Sequence, residues 1–218
     1  FNLDLNQIVE EAFERCGSEM RTGYDLRTAR RSLNLLMAEW ANRGINLWTI
    51  DEGTVSLTED TITYNLPADT IDLLEQVIRT GTGTSQQDIN ITRISASSYG
   101  VIPNKNSTGR PVQVWINRQV AQPTINVWPA PEDNTYTFVY WALKRIEDAG
   151  TGVTNQDIPF RFLPCLVAGL SFYLSLKIPN AGDRTQFLKQ EYEEQWVLAS
   201  TEDREKSDLR IVPKRQSI

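Results

Sequence analysis

The stretch INVWPAPEDNTYTFVYW, residues 125–141, decides how this chain is read. It sets two runs of alternating apolar residues around a Pro-Ala-Pro-Glu-Asp-Asn break, the pattern of two strands joined by a turn. Alternation along the second run puts Tyr136, Phe138 and Tyr140 on one face and Thr135, Thr137, Val139 and Trp141 on the other. An exposed aromatic platform for sugars or bases would use such rings, but three aromatics on one strand face also suit a sheet core. The core reading is preferred. It makes Ile125 to Trp141 the central hairpin of a β domain, with PAPEDN as its turn, and leaves Trp128, Trp141, Glu132 and Asp133 as candidate contacts with a neighbour.

Working outward, the same alternating period holds from about Leu47 to Ile146. TVSLT, TITYNLP, LEQVIRT, INITRI and PVQVWINR precede PTINVWPA and TYTFVYWALKRI, all separated by Gly, Pro, Asn and Asp clusters. An antiparallel β-sandwich or small barrel is the expected product. Two polar breaks exceed what a hairpin needs, TGTGTSQQD (Thr80 to Asp88) and NKNSTG (Asn104 to Gly109), the second after a short helix predicted over Ser95 to Gly100. Thr84, Ser85 and Lys105 in these breaks join the candidate contacts.

Helical periods flank the β region on both sides. Leu5, Ile8, Val9, Ala12, Phe13 and Cys16 form one stripe, with Asp4 and Gln7 spaced as a capping box and Gly17 placed as a stop. Leu26, Ala29, Leu33, Leu36, Met37 and Trp40 form a second, ending at Gly44. After the β region, Asp157 and Pro159 open a third helix that contains Pro164. Phe187, Leu188, Tyr192, Trp196 and Ala199 predict one face of a fourth. The fold class expected is α+β: a four-helix bundle of two N-terminal and two C-terminal helices carrying an inserted antiparallel β-sandwich or barrel. The divisions fall at 1–46, 47–150, 151–205 and an extended C-terminal arm, 206–218.

Composition narrows the chemistry. The 218 residues include 28 acidic and 22 basic ones, a formal charge of −6, which argues against gripping nucleic acid through neutralised phosphates. Histidine is absent, so Ser-His-Asp and Cys-His nucleophile systems and His-bearing zinc sites are excluded. Cys16 and Cys165 both sit on apolar helix faces and read as buried thiols. The acid pairs Glu132–Asp133, Asp51–Glu52 and Glu147–Asp148 lie in turns or alternate across strands, so none is placed to act across a scissile bond. GTGTSQQD lacks the Lys-Ser/Thr ending of a phosphate loop. No catalytic residue, cofactor or metal site is expected. The apolar run Ile158 to Ile178 carries Arg161, two prolines and Lys177, and is expected to be a core helix rather than a membrane span. No basic, apolar and small-residue succession of a secretory signal opens the chain.

Two charged features remain. Arg27, Arg30 and Arg31, with Arg15 and Arg21 nearby, read first as a solvated helix face. The arm holds Leu209, Ile211 and Val212 between Arg210 and Lys214-Arg215, aliphatics that suit a groove on a partner.

The ordered combination resembles the head-to-tail adaptor family, also called tail tubular protein A, of short-tailed bacteriophages (podoviruses). AFERCGSEMRTGYDLRTARRSLNLLMAEWANRGINLWTIDEGTVSLTEDTITYNLP, ISASSYGVIPNKNSTGRPVQVWINRQVAQPTINVWPAPEDNTYTFVYWALKRIEDAG and IPFRFLPCLVAGLSFYLSLKIP carry the likeness. The resemblance implies a non-enzymatic virion protein at the head-tail junction, assembled in the host cytoplasm. It also implies a homo-oligomeric, dodecameric ring between the portal protein and a nozzle (tail tubular protein B) or tail fibre. DNA would pass through without sequence-specific binding, and Leu209, Arg210, Ile211, Val212, Lys214 and Arg215 would be candidates for docking on the portal. The competing expectation is a carbohydrate- or receptor-binding β module using Trp128 and Trp141; a two-carboxylate hydrolase is the weakest.

Overall fold

The computed structural model describes residues 3–44, 47–146 and 158–204. It is an α+β chain with five α-helices and two four-stranded sheets among those residues. They fall into two compact units, divided between Asn42 and Arg43 and again between Glu147 and Asp148.

The first unit holds four helices. In α1 (Leu5–Arg15) the Asp4 carboxylate accepts from the Gln7 N–H at 2.8 Å, and the Asp4 N–H donates back to Gln7 Oε1 at 3.1 Å. The expected capping box therefore satisfies two of the orphan donors at the helix start. Leu5, Ile8, Val9, Ala12 and Phe13 are buried, and Gly17 takes the left-handed conformation, φ +74°, that ends the helix. α2 (Gly23–Arg43) buries Ala29, Leu33, Leu36, Met37 and Trp40 on the predicted stripe.

The next two helices of this unit correct details of the sequence reading. A 3-10 turn, Phe160–Phe162, leads into a helix over Leu163–Ser175 with Pro164 in its first turn, where no intrahelical donor is lost. Asp157, expected at the opening of the third helix, lies outside the described residues. The last helix, Thr185–Glu202, buries Leu188, Tyr192 and Ala199 as expected but leaves Phe187 68% exposed. Phe187 sits one position off the Leu188–Tyr192–Ala199 row, far enough round the cylinder to leave the core.

Trp40 is the hub of this unit. Its ring packs 5.6 Å from Phe162 and 5.5 Å from Trp196, and its indole N–H donates to Tyr192 Oη at 3.0 Å. Gly169 lets the helices close here, since a Cβ on it would lie 2.9 Å from both Leu36 and Tyr192. Cys16 and Cys165 are free and buried, and the Cys16 thiol donates to the Ser171 carbonyl at 3.2 Å. The Arg161 guanidinium pairs with buried Asp203, tying the start of one C-terminal helix to the end of the other.

The second unit holds both sheets. β1 (Ile50–Ser56), β3 (Thr70–Thr80), β4 (Gln87–Asn90) and β8 (Thr137–Lys144) form the first, in the order β1-β8-β3-β4, antiparallel throughout. β2 (Thr63–Asn65), β5 (Thr92–Arg93), β6 (Gln113–Asn117) and β7 (Thr124–Trp128) form the second, in the order β2-β7-β6-β5. Here β5 runs parallel to β6, so the sheet is mixed rather than purely antiparallel. INITRI, one strand by its alternation, divides at Ile91 into β4 and β5, one for each sheet.

The opening stretch is corrected in the same way. β7 and β8 are not hairpin partners: β7 pairs with β6 and β2, and β8 with β1 and β3. PAPEDN is a crossover between the sheets. Pro129 and Pro131 have no N–H to offer a ladder, and the intervening Ala130 instead bonds Ser107 and Gly109 at 2.8 and 2.9 Å. Beyond the crossover the face assignment stands, because Tyr136, Phe138 and Tyr140 join Leu73, Val114, Ile125 and Val127 in one apolar cluster fed by both sheets. Val139, assigned to the other face, is also fully buried, as suits a strand with a neighbour on each side.

The short helix predicted over Ser95 to Gly100 is α3 (Ala96–Gly100), capped by the Ser95 side chain. The helices over Leu163–Ser175 and Thr185–Glu202 are α4 and α5.

Candidate functional site

The contact residues singled out in the β unit do not converge on one spot. Trp128 and Lys105 both bind the backbone around the Asn104 to Gly109 loop. The Trp128 indole N–H donates to the Asn104 carbonyl at 2.9 Å, while Lys105 Nζ donates to the carbonyls of Gly100 and Ile102 at 3.2 and 3.1 Å. Lys105 also lies 5.5 Å from the centre of the Tyr99 ring, itself stacked 5.2 Å from Trp115. Its cation thus sits on the last carbonyl of α3 and on one just past the helix end, where positive charge is favoured. Both side chains have intramolecular work: they pin the Asn104 to Gly109 loop and α3 over the second sheet.

Glu132 and Asp133 lie in the crossover. Glu132 accepts from the Tyr136 hydroxyl at 2.8 Å, and burial, reinforced by that carboxylate, pushes the phenol up to about 12. Asp133 accepts from the Thr135 N–H and hydroxyl at 2.8 and 2.6 Å, which holds its carboxyl below the usual range. Thr84 and Ser85 form the exposed tip of the β3–β4 hairpin, a single 3-10 turn. Trp141 is half-buried on β8, flanked in register by Glu52 of β1 and Glu75 of β3. Leu209, Arg210, Ile211, Val212, Lys214 and Arg215 lie outside the described residues.

Sequence reasoning missed a set of exposed apolar side chains in the helical unit. Tyr24, Leu35, Phe160, Leu176, Phe187 and Leu198 are each more than half exposed. Phe187 and Leu198 stand eleven residues apart on α5, so they share a face away from the buried row. Spacing gave no signal for them, because single apolar residues off a core stripe are ordinary on a helix surface and only their grouping in space distinguishes them.

No group of three or more acidic or cysteine side chains among the described residues is arranged to hold a metal ion. Among the same residues, no helix is long and apolar enough to cross a membrane. What the molecule offers is surface: polar loops and half-buried indoles on the β unit, charged and apolar helix faces on the other.

The sequence profile of the SU10 adaptor protein family matches residues 4–212, nearly the whole chain and both units. The chain belongs to this family. SU10 adaptors are phage head-to-tail adaptors, so this adaptor is a structural component of a phage virion, in keeping with the resemblance drawn from its sequence. No curated protein matches the adaptor chain.

Proposed function

We propose that this adaptor forms a ring, a dodecamer, that joins the portal to the nozzle or tail fibre of a short-tailed phage and lines the DNA exit channel after packaging. The family match over residues 4–212 carries the reading. The formal charge of −6 supports it, since a conduit for DNA works best when its wall does not bind phosphate. Subunits add beneath the filled head, meet the portal and leave their far side to later tail components.

The basic-aliphatic arm, Leu209 to Arg215, is the portal-docking element in this scheme: Leu209, Ile211 and Val212 enter a groove while Arg210, Lys214 and Arg215 meet acidic groups around it. Mixing the adaptor with DNA-filled, tailless heads tests the whole reading. Co-sedimentation and a ring at the portal vertex in electron micrographs are expected, and an adaptor that stays monomeric beside the heads overturns it. Because Asp203 is buried on Arg161, truncation belongs after Arg204. That shortened chain should keep its helical circular dichroism and lose co-sedimentation; binding equal to the full chain rules the arm out.

A further inference from the structure

Among the described residues, two surfaces of the helical unit set exposed apolar side chains beside unpaired charges. α1 along its length and the start of α4 line a groove of about 770 Å³, with Leu3, Gln7, Glu10, Glu14, Phe160 and Leu163 among its walls. The C-terminal ends of the same helices, Gly17 and Ser18 with Leu174 and Lys177, meet instead at a cleft bounded by the start of α2. α1 and α4 therefore run side by side in the same direction, with Glu14 bordering both hollows.

The groove is apolar below and acidic at its edge. Phe160 is 75% exposed beside Leu163 and Val167. Of the rim acids, Glu11 is held by Arg15 at 2.8 Å, and Arg15 also holds Glu191 at 2.9 Å. Glu10 and Glu14 have no ion pair among the described residues.

The Tyr24–Leu35 face of α2 carries the reverse charge on a similar apolar base. Tyr24, Arg27, Arg31 and Leu35 follow one another at helical spacing along α2, with Tyr24 62% and Leu35 60% exposed. Arg27 and Arg30 have no ion pair among the described residues, and Arg31 reaches only the Thr28 hydroxyl, at 3.3 Å. Of the acids near the start of α2, Asp25 accepts from Arg21 and Thr22 and Glu19 pairs with Arg21, while Glu14 borders the same cleft as Arg31. Lys177, donating to Ser32 at 2.7 Å, is held below its ordinary range by burial and then by the Arg31 charge. Positive charge is thus in excess on the face lined by Arg27, Arg30 and Arg31.

We propose that the acidic groove between α1 and the start of α4 receives the Tyr24–Leu35 face of α2 from a second copy, a head-to-tail contact that joins neighbouring subunits. The inference rests on the ring reading above and names the surfaces that build the ring. A heterologous interface needs two different complementary patches on every subunit, placed so that one copy can use both at once. These patches satisfy both conditions. Tyr24 and Leu35 supply aromatic and aliphatic anchors for the Phe160–Leu163–Val167 floor, while Arg27 and Arg30 meet Glu10 and Glu14.

Charge reversal tests the contact on DNA-filled, tailless heads, with amine cross-linking to count adjoining subunits. Glu10→Lys/Glu14→Lys and Arg27→Glu/Arg30→Glu should each lower the yield of cross-linked dimers and larger species by about tenfold or more, because like charges then face each other. An equimolar mixture should restore the ladder, since the reversed groove of one chain meets the reversed helix of the other. Wild-type yield from either variant alone, or no rescue by the mixture of two chains with wild-type circular dichroism, overturns the contact. Should a reversal cost the fold, Glu10→Cys/Arg27→Cys with a short bismaleimide replaces it: a ladder is expected, and monomer alone overturns the contact. Wild-type chain that fails to bind heads at all sinks the adaptor reading itself, whereas a wild-type ring unaffected by the reversals sinks only this interface.

Discussion

The helical unit and the β unit solve the problem of a core in opposite ways. The β unit is one continuous run of chain, from Arg43 to Glu147, whose two sheets share a cluster built from residues within that run. The helical unit is assembled from two pieces more than a hundred residues apart, and its central contacts cross that gap: Trp40 with Tyr192, Cys16 with Ser171, Glu39 with Tyr173. The difference teaches where polar bonds are needed. Joining two remote pieces by apolar contact alone leaves their relative register loosely fixed, and directional hydrogen bonds inside the helical unit specify it. In the β unit the ladders already do so.

The largest test of this contrast is Trp40→Ala. It deletes a fully buried indole together with its bond to Tyr192, and should cost the helical unit roughly 3–5 kcal/mol, the range for a buried Trp or Phe cut to Ala. Denaturant titration read by circular dichroism at helix wavelengths checks it; a loss under about 1 kcal/mol would remove Trp40 as the hub. A smaller effect is expected in the β unit from Gly53→Val. Gly53 stands opposite Tyr140 in register, and any Cβ there would fall 2.4 Å from the ring. Overpacking of about 1–3 kcal/mol should follow, seen as a lower thermal midpoint for sheet signals while the Trp40 environment is unchanged. Simultaneous loss of both signals would show that the two units unfold as one.

The smallest effect is silent at neutral pH. Burial pushes the Cys16 thiol up to about 11 from 9.0, and Tyr136 is pushed up to about 12 from 10.0. Both groups are neutral when folded and ionise earlier when unfolded, so each contributes stability that is present below its unfolded value and lost as pH rises to the folded one. The stability difference between wild type and Cys16→Ala should therefore fall between pH 9 and 11, and that between wild type and Tyr136→Phe between pH 10 and 12. Measured by urea titration across that range, the helical unit's loss comes first; the reverse order would contradict the burial assigned to Cys16.

Much of this was legible beforehand because it is local. The α1 capping box, the stop at Gly17, the α2 stripe and the short helix after Ser95 all depend on residues within a few positions of one another, and the sequence predicts each of them. The candidate contacts were less legible. Trp128 and Lys105 are conspicuous in the sequence, yet their donors are taken up by Asn104, Gly100 and Ile102. Whether a polar or aromatic group is free depends on neighbours that spacing does not reveal. Conversely, Tyr24, Leu35 and Phe160 attract no notice in the sequence and emerge as exposed only when the helices are packed.

The stretch from Ile125 to Trp141 marks the division. By itself the sequence determined that it holds two strands, that Tyr136, Phe138 and Tyr140 face a core, and that two prolines interrupt them, since period and missing N–H groups are properties of the local chain. Only the tertiary structure decided which strands those two would join. Antiparallel pairing requires partners brought from a distance, and the choice among β1, β3, β6 and β2 turns on which apolar faces can be buried together. A tempting hairpin became the crossover that links two sheets.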